Sequence, residues 1–245
     1  MSRALLALMV ACLVASAAHA GPITIGVRGG WSIPDLRNSG NNPISTGWSS
    51  RVAPFGGVWV DDRIAPSWSL EVEANLAPQG GKRDGMQPLD NATSLGLPPG
   101  TTAWANYSQE ARLDYVEVPV MAMWHLRGPG DLHLGAGPYA GFLVSADTRT
   151  SGTSAIFLDQ GGTQQAAPPE SFDATTDAKS GLKSFNWGMQ FGAGASQPWM
   201  GGLVTFDVRA GLGLADIQKD AVDGKNTTGN LVVALGYGHR VGMPL

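Results

Sequence analysis

The feature that most constrains this chain is an alternation of apolar and polar residues with period two, which returns along most of its length. It is clearest in 68–76, where every second residue from Trp68 to Leu76 is apolar and those between are polar. Successive side chains of a β-strand point to opposite faces, so this pattern predicts strands with one apolar and one polar face. Eight segments show the pattern, most weakly at Pro54 in the second: 23–32, 51–61, 68–76, 113–126, 132–145, 185–196, 203–213 and 230–240.

The connections between these segments alternate in length. Three are short: 61–67, 127–131 and 197–202. Four are long and rich in Gly, Ser, Thr, Asn and Pro: 33–50, 78–111, 146–184 and 215–229. Long irregular loops are unusual in a compact domain, whereas an outer-membrane barrel has short periplasmic turns and long extracellular loops. The sequence therefore predicts an all-β fold, an eight-stranded antiparallel up-and-down transmembrane β-barrel, with these turns and loops, in residues 21–245.

Residues 1–20 have the form of a secretory signal peptide. Arg3 precedes an apolar stretch that ends in a small-x-small cleavage string at 18–20, so we expect the mature chain to begin at Gly21. The alternatives are an uncleaved anchor, for which the apolar stretch is short, and lipid attachment at Cys12.

Composition excludes several other classes of protein. Cys12 is the only cysteine, so the mature chain must be held together without disulfides. The net charge of the full chain is −4 and its charges are dispersed, which gives no indication of a nucleic-acid partner. The chain after residue 20 has no long apolar run, so it would cross a membrane as strands.

Period two alone leaves open which face of the barrel is outside. A soluble lipocalin-like barrel would turn its apolar face inward, and Gly29-Gly30-Trp31 matches a short string that lipocalins favour. Two observations favour the membrane. The polar face is rich in glycine, which makes room inside a narrow barrel, and aromatic residues lie near the strand ends, as in interfacial girdles. The glycines are at 135, 137, 141, 188, 192 and 194. The predicted interfacial aromatics are Trp31, Trp68, Trp124, Phe185, Trp187 and Tyr237.

Ionisable residues fall on the polar face of five predicted strands. They are Arg28, Glu71, Glu73, Glu117, Asp207, Arg209 and Arg240. The interior of an eight-stranded barrel is only wide enough for side chains, and charges buried there are costly unless they are paired. We therefore predict that these four acids and three bases form a hydrogen-bonded network that closes the lumen.

The same segments carry motifs that resemble the PorT-like outer-membrane β-barrel family. In family order they are Ile25-Gly26-Val27-Arg28-Gly29-Gly30, 69–76 followed by Gly80-Gly81-Lys82, 113–120, 135–143, and Leu235-Gly236-Tyr237-Gly238. The most specific is Leu-Asp-Tyr-Val-Glu-Val-Pro-Val at 113–120. The resemblance implies an outer-membrane location and a barrel, and no reaction, because members share no uniform activity. The chain departs from the family at its end, where 241–245 trail beyond Tyr237, the last aromatic.

Histidines are the residues that would first suggest an enzyme. After signal removal they are His125, His133 and His239, and none lies in a long predicted loop. His125 and His133 flank one tight turn and can approach each other, so a metal or catalytic pair is the alternative to histidines that only hydrogen-bond to neighbours. No catalytic, cofactor-binding or metal-binding residue is predicted, and no cofactor, because the chain carries no nucleotide fingerprint or zinc-ligand spacing.

These features lead us to expect a non-enzymatic outer-membrane barrel with a structural, loop-mediated binding or secretion-accessory role. The alternative is a narrow porin-like channel for ions or small solutes, and a membrane-embedded lipid-modifying enzyme is less favoured. The expected partners are outer-membrane lipid and, through the long loops, an envelope or extracellular protein. No nucleic-acid partner is expected.

Overall fold

The computed structural model describes residues 22–40, 47–89, 96–126, 130–220 and 224–241. The predicted signal peptide, the expected new N-terminus at Gly21 and the trailing residues 242–245 lie outside the described residues. In the described part of the chain, no helix has the length and apolar character needed to cross a bilayer.

Strands make up most of the described chain. In chain order they are β1 (Ile23–Asn38), β2 (Ala53–Ala65), β3 (Trp68–Arg83), β4 (Met86–Leu89), β5 (Ala103–Asn106), β6 (Ser108–Leu126), β7 (Asp131–Ser151), β8 (Thr153–Phe157), β9 (Gln165–Ser171), β10 (Ala174–Asp177), β11 (Phe185–Trp199), β12 (Gly202–Gly213) and β13 (Asn226–Val241). A short 3₁₀ helix spans Lys179–Gly181.

Eight of these strands close into a ring. The order is β1-β2-β3-β6-β7-β11-β12-β13, and β13 returns to β1 with antiparallel pairing from Ile23↔Val241 to Asn38↔Asn226. Every neighbouring pair is antiparallel, and each barrel strand pairs with the next one in the sequence. The predicted eight-stranded up-and-down barrel is therefore confirmed, including the weakly patterned second strand.

The barrel turns its apolar face outward. Val27, Leu76 and Leu235 are 59%, 67% and 62% exposed, whereas the polar face that alternates with them is buried. A soluble barrel would bury these residues, because exposed apolar surface of this extent is unfavourable in water. The soluble lipocalin-like alternative is therefore wrong, and the outward face is suited to lipid.

The long loops contain more structure than the sequence predicts. A separate four-stranded sheet is formed by β4, β5, β8 and β9, and β10 pairs with residues 147–150 of β7. β7 itself extends to Ser151, beyond the predicted end at residue 145. The sequence pattern did not reveal the added strands because they are only four to seven residues long, too short for an alternation to be recognised.

Candidate functional site

Two arginines and two glutamates form the centre of the lumen. Arg28 on β1 donates from Nη2 to Glu71 Oε2 at 3.1 Å and from Nη1 to Glu73 Oε1 at 3.3 Å. Arg209 on β12 donates from Nη2 to Glu71 Oε1 at 2.7 Å and from Nη1 to Glu73 Oε1. Each arginine therefore bridges both glutamates, and all four side chains are nearly inaccessible to solvent. Charge-assisted hydrogen bonds of this kind offset the cost of taking charges out of water.

The network spans the full width of the barrel. In the ring, β3 and β12 are four strands apart in either direction, so Glu71 and Arg209 meet from opposite walls. Gly192 lies beside the arginine: a Cβ there would be in contact with Arg209 Cγ at 3.4 Å. Asn75 extends the network, since its Nδ2 donates to Glu73 Oε2 at 2.7 Å.

Asp207 links the network to a histidine that the prediction did not include. Its Oδ1 lies 3.4 Å from Arg209 Nη2 and 3.0 Å from His133 Nε2. His133 and Asp207 are on strands separated by β11, and they meet across Gly194, where an added Cβ would lie 2.7 Å from Asp207 Oδ1. The signal for His133 was present in the sequence, because it falls on the polar face of its strand.

Glu117 lies apart from the arginines. It is 2% exposed, its Oε1 accepts a hydrogen bond from Gln79 Nε2 at 2.8 Å, and it makes no ion pair within the described residues. Gln79 was not a predicted lumen residue, because it lies beyond the predicted end of its strand at residue 76. Glu117 is therefore a buried carboxylate whose visible partner is a neutral amide.

Removing the charge of Glu117 should be harmless. An isolated buried carboxylate is costly, and the amide of Glu117→Gln can still accept from Gln79 through its own Oε1. We expect unchanged or increased stability against urea in lipid or detergent. Glu73→Gln is the matched control, because it withdraws the charge that faces both arginines and should lose stability. Equal losses in the two variants would contradict this reading of Glu117.

Arg240 does not belong to the network. Its side chain is exposed at the short-turn rim and forms no ion pair with any described residue, so its predicted membership is wrong. Arg240 lies on the polar face, as predicted, but near the end of β13, closer to the short-turn rim than Glu71 and Glu73. The network therefore contains Arg28, Arg209 and His133 as its basic groups.

Below the network, at the periplasmic end, lies a cavity of about 230 Å³. Trp59 lines it, and the Arg28 guanidinium lies 5.3 Å from the centre of the Trp59 ring. His125 and His133 also line it, with ring centroids 5.8 Å apart, so the predicted approach of these histidines is confirmed. We call this cavity the vestibule.

One set of contacts beside the vestibule has the order of a catalytic triad. Ser69 Oγ lies 2.8 Å from His125 Nε2, and His125 Nδ1 lies 3.1 Å from Asp131 Oδ1. However, Ser69 Oγ also donates to Asp61 Oδ2, and Ser69 is only 1% exposed. A hydroxyl has one proton, and a proton directed at Asp61 is not available to His125 as a general base. The contacts are better explained as a hydrogen-bonded link between β2, β3, β6 and β7.

Metal ligands are not grouped in this barrel. In residues 22–40, 47–89, 96–126, 130–220 and 224–241, no three His, Cys, Asp or Glu side chains are placed to hold an ion together. His125 and His133 each face an aspartate, so their ring nitrogens are engaged in hydrogen bonds.

At the extracellular end, an apolar cluster lies on the lumen side. Leu113 and Tyr115 on β6 pack with Leu143 and Ala146 on β7. Ile217, from the connection between β12 and β13, packs against this cluster and is only 3% exposed. The lumen thus has an apolar layer above and a charged layer below.

Comparison with known proteins identifies the class of this barrel. A family model described as the outer membrane protein beta-barrel domain matches residues 15–219. The chain belongs to this family. It is therefore an eight-stranded barrel protein of the outer membrane, as predicted. The match does not extend to the narrower PorT-like group, which stays a resemblance.

Several solved outer-membrane barrels are similar to this outer-membrane barrel protein. Ail of Yersinia pestis is 10% identical with a TM-score of 0.37, over 90% of this chain and 99% of that one. OprG of Pseudomonas aeruginosa is 14% identical with a TM-score of 0.36, over 89% and 97%. The neisserial surface protein A is 9% identical with a TM-score of 0.38, over 86% and 95%. No curated protein sequence matches the chain.

The predicted interfacial aromatics all face outward. Trp31, Trp68, Trp124, Phe185, Trp187 and Tyr237 are between 38% and 61% exposed. Several of them are in ring contact: the centroids of Trp68 and Trp124 are 6.5 Å apart, and those of Phe185 and the neighbouring Phe142 are 5.6 Å apart. Aromatic rings in these positions suit the two lipid–water interfaces.

The extracellular sheet is held by its own contacts. Tyr107 stacks on Phe172 at 4.8 Å, which ties the base of the second long connection to that of the third. At the β8–β9 turn, Asp159 accepts hydrogen bonds from the backbone of Gln164 at 2.6 Å and Thr163 at 3.0 Å. These bonds favour the ionised carboxylate and hold the pKa of Asp159 below its usual value. The turn is therefore ordered by a local cap.

Proposed function

We propose that this protein is a non-enzymatic outer-membrane barrel with a closed lumen, whose extracellular loops bind an envelope or extracellular protein in a structural or secretion-accessory role. The observation that carries the proposal is the bridge of Arg28 and Arg209 to Glu71 and Glu73 across the barrel. A water-filled pore would leave such charges solvated along the walls, whereas here they meet in the middle. No cofactor enters this function.

The loops support the binding part of the proposal. Binding proteins commonly place variable segments on a rigid scaffold. The β4-β5-β8-β9 sheet offers such a surface, since β9 is almost entirely exposed and Ala103 and Ile156 form a buried core beneath. The Ser69–His125 contact does not favour an enzyme, because the serine is buried and its proton is directed at Asp61.

Electrical recording separates the closed lumen from a pore. In planar bilayers, we expect the purified barrel to show no steady conductance of porin size, because the bridged charges and the apolar cluster above them occupy the middle of the lumen. A known porin in the same bilayer serves as the positive control. Steady channels of uniform size from the wild-type protein would instead support the narrow porin-like alternative.

Labelling of whole cells tests which rim is outside. The mature chain is expected to be free of cysteine, so a single introduced thiol gives a clean signal. Gln160→Cys, in the β8–β9 turn, should react with a membrane-impermeant maleimide in intact cells. Gly201→Cys, in the short β11–β12 turn, should react only after the outer membrane is opened. Labelling of the second site alone in intact cells would invert the proposed topology.

A further inference from the structure

The protonation state of His133 is defined by what its two ring nitrogens face. Nε2 lies 3.0 Å from Asp207 Oδ1, and Nδ1 lies 3.4 Å from the backbone oxygen of Asp131. A carboxylate and a carbonyl oxygen only accept hydrogen bonds, so both contacts are satisfied only when both nitrogens carry a proton. A neutral imidazole would turn a lone pair towards one of these oxygens and lose that contact.

His133 is also the nearer charged partner of Asp207. Arg209 lies at 3.4 Å from the same carboxylate oxygen and bonds at shorter distance to Glu71, at 2.7 Å. Asp207 is 3% exposed, so a carboxylate there depends on its few partners. The imidazolium of His133 therefore supplies charge that the arginines do not supply in full.

Charged and titratable groups surround His133 on six of the eight barrel strands. They are Asp207 and Arg209 on β12, Glu71 on β3, Asp61 and Arg63 on β2, His125 on β6, Arg240 on β13 and Asp131 on its own strand. Glu71 pairs with both arginines, Asp131 pairs with Arg63 at 3.0 Å, and Asp61 accepts a hydrogen bond from Ser69. Asp207 is thus the acid whose pairing depends most on His133.

We propose that His133 is a proton-operated latch that fastens β7 to the lumen network through Asp207, and that a rise in periplasmic pH releases it. The vestibule gives protons and water a route to the ring, because His133 lines this cavity. Gly194 is part of the device, since any side chain there would separate the two partners. An effect of the latch on closure of the lumen rests on the proposed function. The latch itself rests on the two contacts of His133.

The direction of the pH effect follows from linkage. The doubly protonated ring is favoured in the folded barrel, so the folded state binds more protons than the unfolded state in the titration range of histidine. The stabilisation is fully present below about pH 6.5, where a free histidine titrates, and is lost as pH rises above that value. For one proton, the unfolding equilibrium constant changes by at most about tenfold per pH unit.

The test is urea unfolding in lipid or detergent between about pH 5.5 and 8.5, the range in which histidine changes charge. The measured quantity is the difference in slope between wild type and His133→Gln, because all other groups are present in both. We expect the unfolding constant to rise more steeply with pH in wild type. His239→Gln, at the exposed end of β13, should follow wild type. Equal slopes in wild type and His133→Gln would overturn the proposal.

A second measurement needs no variant and decides the matter if His133→Gln does not fold. Nitrogen-15 spectra of the wild-type barrel report the protons on each ring. At about pH 6.5, where a free histidine is a mixture of forms, His133 should carry protons on both nitrogens. A neutral tautomer at that pH would overturn the latch. Conductance at both ends of the pH range keeps the two proposals apart: steady channels throughout contradict the closed lumen but not the latch.

Discussion

Arg209→Ala is expected to lower the free energy of unfolding by about 3–5 kcal/mol, the range found when one partner of a buried ion pair is removed. The substitution leaves Glu71 and Glu73 with Arg28 alone and takes the nearer arginine from Asp207. Three carboxylates that are at most 5% exposed would then share one guanidinium and one histidine. The measurement is the urea midpoint of unfolding of the barrel in lipid vesicles.

Arg240→Ala is the matched control for this prediction. It removes the same side chain from the same face of a neighbouring strand, but at an exposed rim position with no ion pair to any described residue. Its effect should stay within about 0.5 kcal/mol, as for other surface substitutions. Similar losses in both variants would mean that the arginines act through general charge and not through the central bridge.

Gly188→Ala should cost about 1–3 kcal/mol, because a methyl group there has no space. A Cβ at this position would clash with the backbone oxygen of Leu212 and lie 2.7 Å from Tyr139 Cε1. A backbone atom cannot move aside as a flexible side chain can, so neighbouring strands would have to separate. The readout is again the midpoint of urea unfolding, together with the yield of folded barrel.

Gly56→Ala provides the comparison. Its Cβ would meet only the backbone oxygen of Arg28, at 3.7 Å, which is an ordinary contact. Alanine there should be neutral or stabilise by up to about 1 kcal/mol, since it reduces the freedom of the unfolded chain. If both variants lost stability equally, glycine in this barrel would serve the backbone conformation and not the space inside the lumen.

For the charge network, the sequence predicted the face on which the residues lie but not which of them meet. The alternation along each strand identified the face of Arg28, Glu71 and Arg209, because side-chain direction in a strand is a local property. The alternation does not tell how high a residue lies between the two rims of the barrel. Arg240 therefore shared the face but lies at the rim, whereas His133 lies high enough to reach Asp207. Height depends on the tilt and stagger of the closed ring, to which every strand contributes.

The sequence also missed several hydrogen-bond partners, because their contacts depend on how far the strands extend and how they pair. Gln79 was outside the predicted strand because β3 continues to Arg83, past the apolar residues that marked its lipid-facing part. Ser69 and Asp61 are on neighbouring strands, and their hydrogen bond depends on a pairing register that one sequence does not display. The extracellular sheet was missed because its strands are only four to seven residues long, too short for a reliable alternation.

By itself, the sequence determined the number of barrel strands, the alternating loop lengths and which residues of a strand share a face, because each follows from spacing along the chain. The family resemblance added the outer-membrane location. Only the tertiary structure decided that the apolar face is outside, that Arg209 meets Glu71 from the opposite wall, and that Glu117 lacks an arginine. These facts depend on closure of the ring, which brings residues more than a hundred positions apart within hydrogen-bond distance. Their contacts are made in space, and spacing along the chain does not encode them.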